Sequence, residues 1–84
     1  MIPPPENIRY NPDNKTLSWD PVPEAEAYRI EYKSNLSSVW ALAYEGSNTE
    51  CPFIHEPNVY SVQGKAEKSG SWGDYSPTYE IIIS

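Results

Sequence analysis

The sequence predicts an all-β protein, a sandwich of seven short strands in two antiparallel layers. Three observations predict it. Apolar residues recur with a period of two in short runs, helical periodicity is missing throughout, and turn-forming residues interrupt the chain at close intervals. The composition agrees: seven Tyr and three Trp outweigh one Phe and one Met, and nine prolines stand against four glycines. That bias suits short strands joined by stiff turns.

Taken in order, Ile2-Pro3-Pro4-Pro5 starts the chain extended, as polyproline II, and reads as a stiff connector. Residues 1–5 are therefore assigned to a proline-rich linker and residues 6–84 to the domain. Ile8 and Tyr10 alternate with polar neighbours and mark a first strand. Asn11-Pro12-Asp13-Asn14 is a turn, because Pro presets φ and Asx side chains bond back to nearby amides. Leu17 and Trp19 alternate on a second strand that ends at Asp20-Pro21. The helix-friendly run Glu24-Ala25-Glu26-Ala27 is four residues long and follows Pro21 and Pro23, so it is read as a turn. Tyr28, Ile30 and Tyr32 alternate with Arg29, Glu31 and Lys33 on a third strand. A polar stretch, residues 34–38, leads to a fourth strand near residues 39–44.

Gly46-Ser47-Asn48 makes the next turn, and a fifth strand covers about residues 49–54, with Cys51 on an inward position. Tyr60, Val62, Gly64 and Ala66 form the inward row of a sixth. Residues 67–74 are read as a loop, and Tyr79, Ile81 and Ile83 as the inward row of the last strand. Seven short strands in a chain of this length fit an immunoglobulin-like sandwich.

These residues, in this order, resemble the fibronectin type III family across essentially the whole chain. The family places a proline before the first strand, matched by Pro5-Glu6-Asn7-Ile8. Its Leu-x-Trp and following proline appear as Leu17-Ser18-Trp19 and Pro21, and its Tyr-x-aliphatic-x-Tyr as Tyr28-Arg29-Ile30-Glu31-Tyr32. Its tyrosine corner, Leu-x-Pro-x-Thr-x-Tyr, is matched by Ile54, Asn58 and Tyr60, with Glu56 at the proline position and Pro57 one place on. Tyr60, Val62 and Ala66 follow the next motif, and Gly64 stands where an aliphatic residue is usual. Ser76-Pro77 resembles the element that opens the final strand. The resemblance implies a non-catalytic sandwich module with Trp19, Tyr28, Ile30, Tyr32, Tyr60 and Val62 in its core. The alternation puts Trp19 between the sheets beside Tyr32, Val62 and Ile81.

Bulk properties narrow the function. A formal charge of −6 and a pI near 4.5 weigh against nucleic acid or an anionic membrane as partner, since both call for a basic face. No run approaches the roughly 18 apolar residues of a membrane span. Met1 is followed at once by Ile2 and three prolines, without a signal-peptide pattern, and reads as the start of an excised module. The single cysteine excludes an internal disulfide and a cysteine-based metal site. Two Asn-x-Ser/Thr sequons, at Asn14 and Asn35, hint at a secreted origin.

Chemistry-bearing constellations are sparse. His55, the one histidine, neighbours Glu56, but no nucleophile lies at a recognisable spacing, so it is read as a surface loop residue. Glu24 with Glu26, and Asp13 with Asp20, are the close carboxylates that any acidic chain contains. Neither a Ca²⁺ loop, a Zn²⁺ ligand set nor a Gly-rich phosphate loop is present. No enzyme activity and no cofactor are expected.

Two aromatic sites remain as candidate partner-binding positions, although Trp72 is read first as a large aromatic folded over its own sheet. Trp72-Gly73-Asp74-Tyr75-Ser76 resembles the Trp-Ser-x-Trp-Ser box of cytokine receptors, with Gly for the first Ser and Tyr for the second Trp. In that family the aromatics stack on basic side chains of the neighbouring strand, which implies a cation–π ladder drawing on Lys65, Arg29 and Lys33. Gly73-Asp74 also sits where some fibronectin modules carry Arg-Gly-Asp, but Trp72 replaces the cation that integrin binding uses. Trp40 on the fourth strand is read first as cover for the core edge; if exposed together with Tyr44, it would form a second patch able to stack on a sugar or a protein. The expectation is a monomeric spacer and protein-interaction module among neighbouring domains of a larger protein. That protein is expected to be extracellular or on a cell surface, bacterial and phage surfaces included. A cytokine-receptor-like ligand-binding domain and a carbohydrate-binding module of a secreted glycosidase are the alternatives.

Overall fold

The computed structural model describes residues 2–84 and resolves into two antiparallel sheets whose inner faces share one core. The smaller sheet joins β1 (Arg9–Asn11), β2 (Thr16–Ser18) and β5 (Glu50–Pro52) in the order β1-β2-β5. The larger comprises β3 (Ala27–Ser34), β4 (Ala41–Gly46), β6 (Asn58–Lys68), β7 (Ser71–Trp72) and β8 (Tyr79–Ile83). Its order is β4-β3-β6, with β7 and β8 both pairing β6. Among the described residues there is no helix.

Period-two patterning places the core. Along β3, Tyr28 and Ile30 are buried while Arg29 and Glu31 are not, and along β6 Tyr60, Val62, Gly64 and Ala66 are buried in turn. Register sets these rows opposite each other: Tyr28 faces Ala66, Ile30 faces Gly64 and Tyr32 faces Val62. From the other sheet come Leu17, Cys51 and Phe53, and Trp19 extends the β2–β5 pairing by donating its amide to the Thr49 carbonyl at 3.0 Å.

Trp19 is 1% exposed, as its inward position requires, but its neighbours differ from the expectation. Its ring packs against Tyr28 at 6.0 Å and Tyr44 at 5.8 Å. The half-buried Tyr32 belongs to a separate cluster with Phe53, His55 and Tyr60, at 5.2, 4.6 and 6.2 Å. Trp19 Nε1 is buried without a hydrogen-bond partner among the described residues. The Tyr60 hydroxyl donates to the Glu56 carbonyl at 2.7 Å, so the tyrosine corner closes with glutamate at the usual proline position.

Three strand assignments change. The last strand is split, which raises the count from seven to eight: β8 pairs one end of β6 and β7 the other. Between them the edge stays tied to β6 by Gly73 N–H to Ala66 O at 2.9 Å and Ser76 N–H to Gly64 O at 2.7 Å. The expected loop 67–74 is therefore mostly a hairpin. Its two-residue turn, Ser69-Gly70, has φ of 53° and 79°, the double left-handed geometry of a type I′ turn. In the fifth strand, alternation from the buried Cys51 lands on Phe53, which is 1% exposed, and leaves Ile54 at 70%. The fourth strand begins at Ala41, and a register shift sets Ile30 opposite Tyr44 but Glu31 opposite Leu42. Ala43 is thus the extra residue of a β-bulge, and it turns Tyr44 inward.

Residues 2–5 lie against this body. Pro5 is fully buried, and Ile2 packs on the core. Gly64 is explained by the same contact: a Cβ there would lie 2.7 Å from Ile30 Cδ1, 3.1 Å from Pro5 Cγ and 3.3 Å from Ile8 Cδ1. An aliphatic side chain has no room where the N-terminal segment already fills the space.

Candidate functional site

The outward face of the larger sheet carries the densest grouping of charged and aromatic side chains. Arg29 and Lys65 face each other across β3 and β6, both pointing away from the core. The hairpin sets Trp72 opposite Glu67, one outward position beyond Lys65 on β6. Trp72 therefore reaches both cations. The Arg29 guanidinium lies 5.2 Å and the Lys65 ammonium 5.4 Å from its ring centroid. Lys65 also stands 4.6 Å from the Tyr75 ring, which extends the stack to Arg29–Trp72–Lys65–Tyr75. Contacts of this kind contribute about 0.5–1 kcal/mol each when exposed.

Glu45 on β4 anchors the far end. Its carboxylate accepts from Arg29 Nε at 2.6 Å, and this hydrogen bond raises the Arg29 pKa above its usual value. The guanidinium is thus tied to β4 on one side and lies over the Trp72 ring on the other. Lys33 does not join this ladder. It stacks 4.9 Å above Trp40, making a second, separate cation–π pair.

The remaining candidates divide. Asp74 is exposed, and Tyr75 is 39% exposed. Trp40 and Tyr44 do not meet. Trp40 lies outside β4 on the outward face with Lys33, whereas the bulge at Ala43 sends Tyr44 to Trp19, with its hydroxyl accepting from Asn48 N–H at 2.9 Å. A two-ring sugar platform is not formed. Gly73, which stands where the cytokine-receptor box has serine, sits against the N-terminal segment: a Cβ there would run into the Ile2 carbonyl oxygen.

Beside Trp72 a cavity of about 310 Å³ is walled by Ile2, Pro3, Pro23, Glu24, Lys68 and Ser71. Glu24 occupies the left-handed region at φ 69° and pairs with Lys68 at 2.9 Å. Both side chains are exposed, so the pair contributes about 0–1 kcal/mol. Glu26 accepts from Ser69 N–H at 2.8 Å and ties the hairpin tip to the β2–β3 turn.

His55 is exposed, yet its ring rests on Phe53 at 4.3 Å, an aromatic neighbourhood that the sequence did not announce. Burial raises the Cys51 thiol to about 11, which makes it an inert core side chain. Among the described residues, no group of three His, Cys, Asp or Glu side chains is placed to share a metal ion, and no helix is long and apolar enough to cross a membrane. Asn14 and Asn35 are both exposed in turns. One feature went unforeseen: Leu36, Val39 and Leu42 are 86, 71 and 58% exposed. Leu36 lies inside a run read as polar, and Leu42 lies ahead of the bulge, opposite the outward Glu31.

No family model and no curated protein matches the sequence. Among solved structures the chain is similar to the solution structure of a fibronectin type III domain derived from the human KIAA0970 protein. The TM-score is 0.65 at 18% identity, and the match covers 96% of this chain and 72% of that one. At this identity the likeness is one of fold: two sheets in the fibronectin type III arrangement.

Proposed function

Taking the chain as a sandwich with the fibronectin type III fold, we propose that it is a non-catalytic spacer and protein-interaction module of a larger surface or secreted protein. One observation carries the reading. The chain enters the sandwich along a packed path, with Pro5 fully buried and Ile2 pressed onto Gly73. An entry held by packing and by three prolines fixes the direction of whatever precedes it, which is what a spacer must do.

The test joins a folded reporter ahead of Ile2 and places one spin label on the reporter and one on the sandwich. A narrow distance distribution, broadened when Pro3 and Pro4 are both replaced by Gly, supports the reading. A distribution already as broad in the unmodified chain refutes it.

The Arg29–Trp72–Lys65–Tyr75 stack favours a second reading, a receptor-type domain that presents this face to a protein ligand. Trp72→Ala separates the two: the receptor reading requires loss of partner binding in a folded variant, and the spacer reading requires the reporter distances to stay as they are.

A further inference from the structure

The edge of the larger sheet at β4 carries an inference beyond the spacer reading. Among the described residues β4 pairs only with β3, so its other side offers a row of unpaired backbone amides and carbonyls. Edge strands of this kind are templates for another strand, and proteins usually blunt them with lysine, proline, an inward charge or a bulge. β4 reads Ala-Leu-Ala-Tyr-Glu-Gly and has neither lysine nor proline. Its one charge, Glu45, is turned to Arg29 on the neighbouring strand, and its one irregularity is the extra Ala43. Leu36, Val39 and Leu42 lie exposed on this strand and the loop that enters it, half of the six large apolar side chains exposed among the described residues. Exposed apolar side chains beside an open edge mark a contact surface.

We propose that the partner at this edge is a second copy of the chain, paired antiparallel through β4 about a two-fold axis. Charge selects that occupant and that direction. The chain carries −6 overall, but the side chains beside β4 balance, Arg29 and Lys33 against Glu31 and Glu45. Two copies meeting here therefore bring together faces that carry no net charge. Antiparallel pairing brings the Lys33–Trp40 end of one strand to the Glu45 end of the other, whereas parallel pairing would stack Glu45 on Glu45. A two-fold contact is self-complementary and closed, so it yields a dimer and not a fibre. This departs from the monomer that the sequence suggested.

Sedimentation equilibrium on the whole chain tests it. The mass should rise with concentration from 9.5 kDa toward twice that value, with a midpoint below about 1 mM. Leu42→Glu adds a negative charge at an exposed outward position that antiparallel pairing sets beside Glu45 of the other copy, and should weaken the dimer at least tenfold, while circular dichroism and Tm stay unchanged. Ile82→Lys, on β8 at another edge of the same sheet and 63% exposed, should leave the dimer intact. A single 9.5 kDa species up to about 1 mM overturns the proposal. So does a dimer that survives Leu42→Glu but is lost with Ile82→Lys, or an edge that binds only a foreign extended peptide.

Discussion

Gly64→Ala probes how tightly the N-terminal segment is fitted to the core. The added methyl would sit 2.7 Å from Ile30 Cδ1 and 3.1 Å from Pro5 Cγ. The Ile30 contact is the tip of a side chain, which would ordinarily swing aside, but Ile30 is 0% exposed and has nowhere to go. The cost is that of overpacking, about 2 kcal/mol within a range of about 1–3. An 84-residue chain has an unfolding entropy near 0.18 kcal/mol/K, so Tm should fall by about 10 °C. Ile30→Val removes the clashing Cδ1 and alone costs about 0.5–1.5 kcal/mol. If the two groups compete for one space, the double variant should lose about 1 kcal/mol less than the sum of the single losses. Urea unfolding of the four proteins measures this directly. Additive losses would refute the reasoning, because the methyl would then be meeting something other than Ile30.

Tyr60→Phe removes the 2.7 Å bond to the Glu56 carbonyl and should cost about 1–1.5 kcal/mol by urea unfolding, with the fold retained. Burial raises the folded pKa of both Cys51, to about 11, and Tyr60. For a raised pKa the stabilisation is complete below the unfolded value and is lost as pH climbs through the folded one, so stability should decline above about pH 9. Cys51→Ala should lessen the first part of that decline, and an identical pH slope in the two proteins would contradict the assignment. Deleting residues 1–5 removes the buried Pro5 and the Ile2 contact and should cost about 1.5–3 kcal/mol, whereas a loose tail would cost nothing measurable.

What could be read from sequence follows the position of each strand. β3 and β6 are central, buried on one face and wet on the other, so strict alternation marks Tyr28, Ile30, Tyr60 and Val62 without ambiguity. The same parity put Arg29 and Lys65 on the outer face, which is why a ladder to Trp72 was legible before the hairpin was. Edges broke the pattern. One extra residue, Ala43, reverses the faces of β4 and separates Trp40 from Tyr44, and a bulge leaves no mark in a run of small and aromatic residues. Which cation met which ring was equally hidden. Lys33 and Arg29 share a face of β3, but only the Ser69-Gly70 turn decides that Trp72 arrives beside Arg29. The exposed Leu36 and Val39 escaped because no alternation marks a face in residues 34–39, and Leu42 because its strand is read from the aromatic residues on either side.

The two glycines that depart from the compared families, Gly64 and Gly73, have a common cause. Each lies under the N-terminal segment: Pro5 and Ile8 cover the first, and the Ile2 backbone crosses the second. Neither glycine is in the left-handed region, so neither is needed for its conformational freedom; both are needed for clearance. Clearance alone would not hold a segment down, because ordering several residues costs about 1–2 kcal/mol each. Three consecutive prolines reduce that cost, since their φ is already fixed in the unfolded chain. The prolines and the glycines, some sixty residues apart, are therefore two halves of one device. The first makes the segment stiff enough to lie flat, and the second makes the sheet low enough to receive it. A sequence with either half alone would hold the segment less firmly against the sheet.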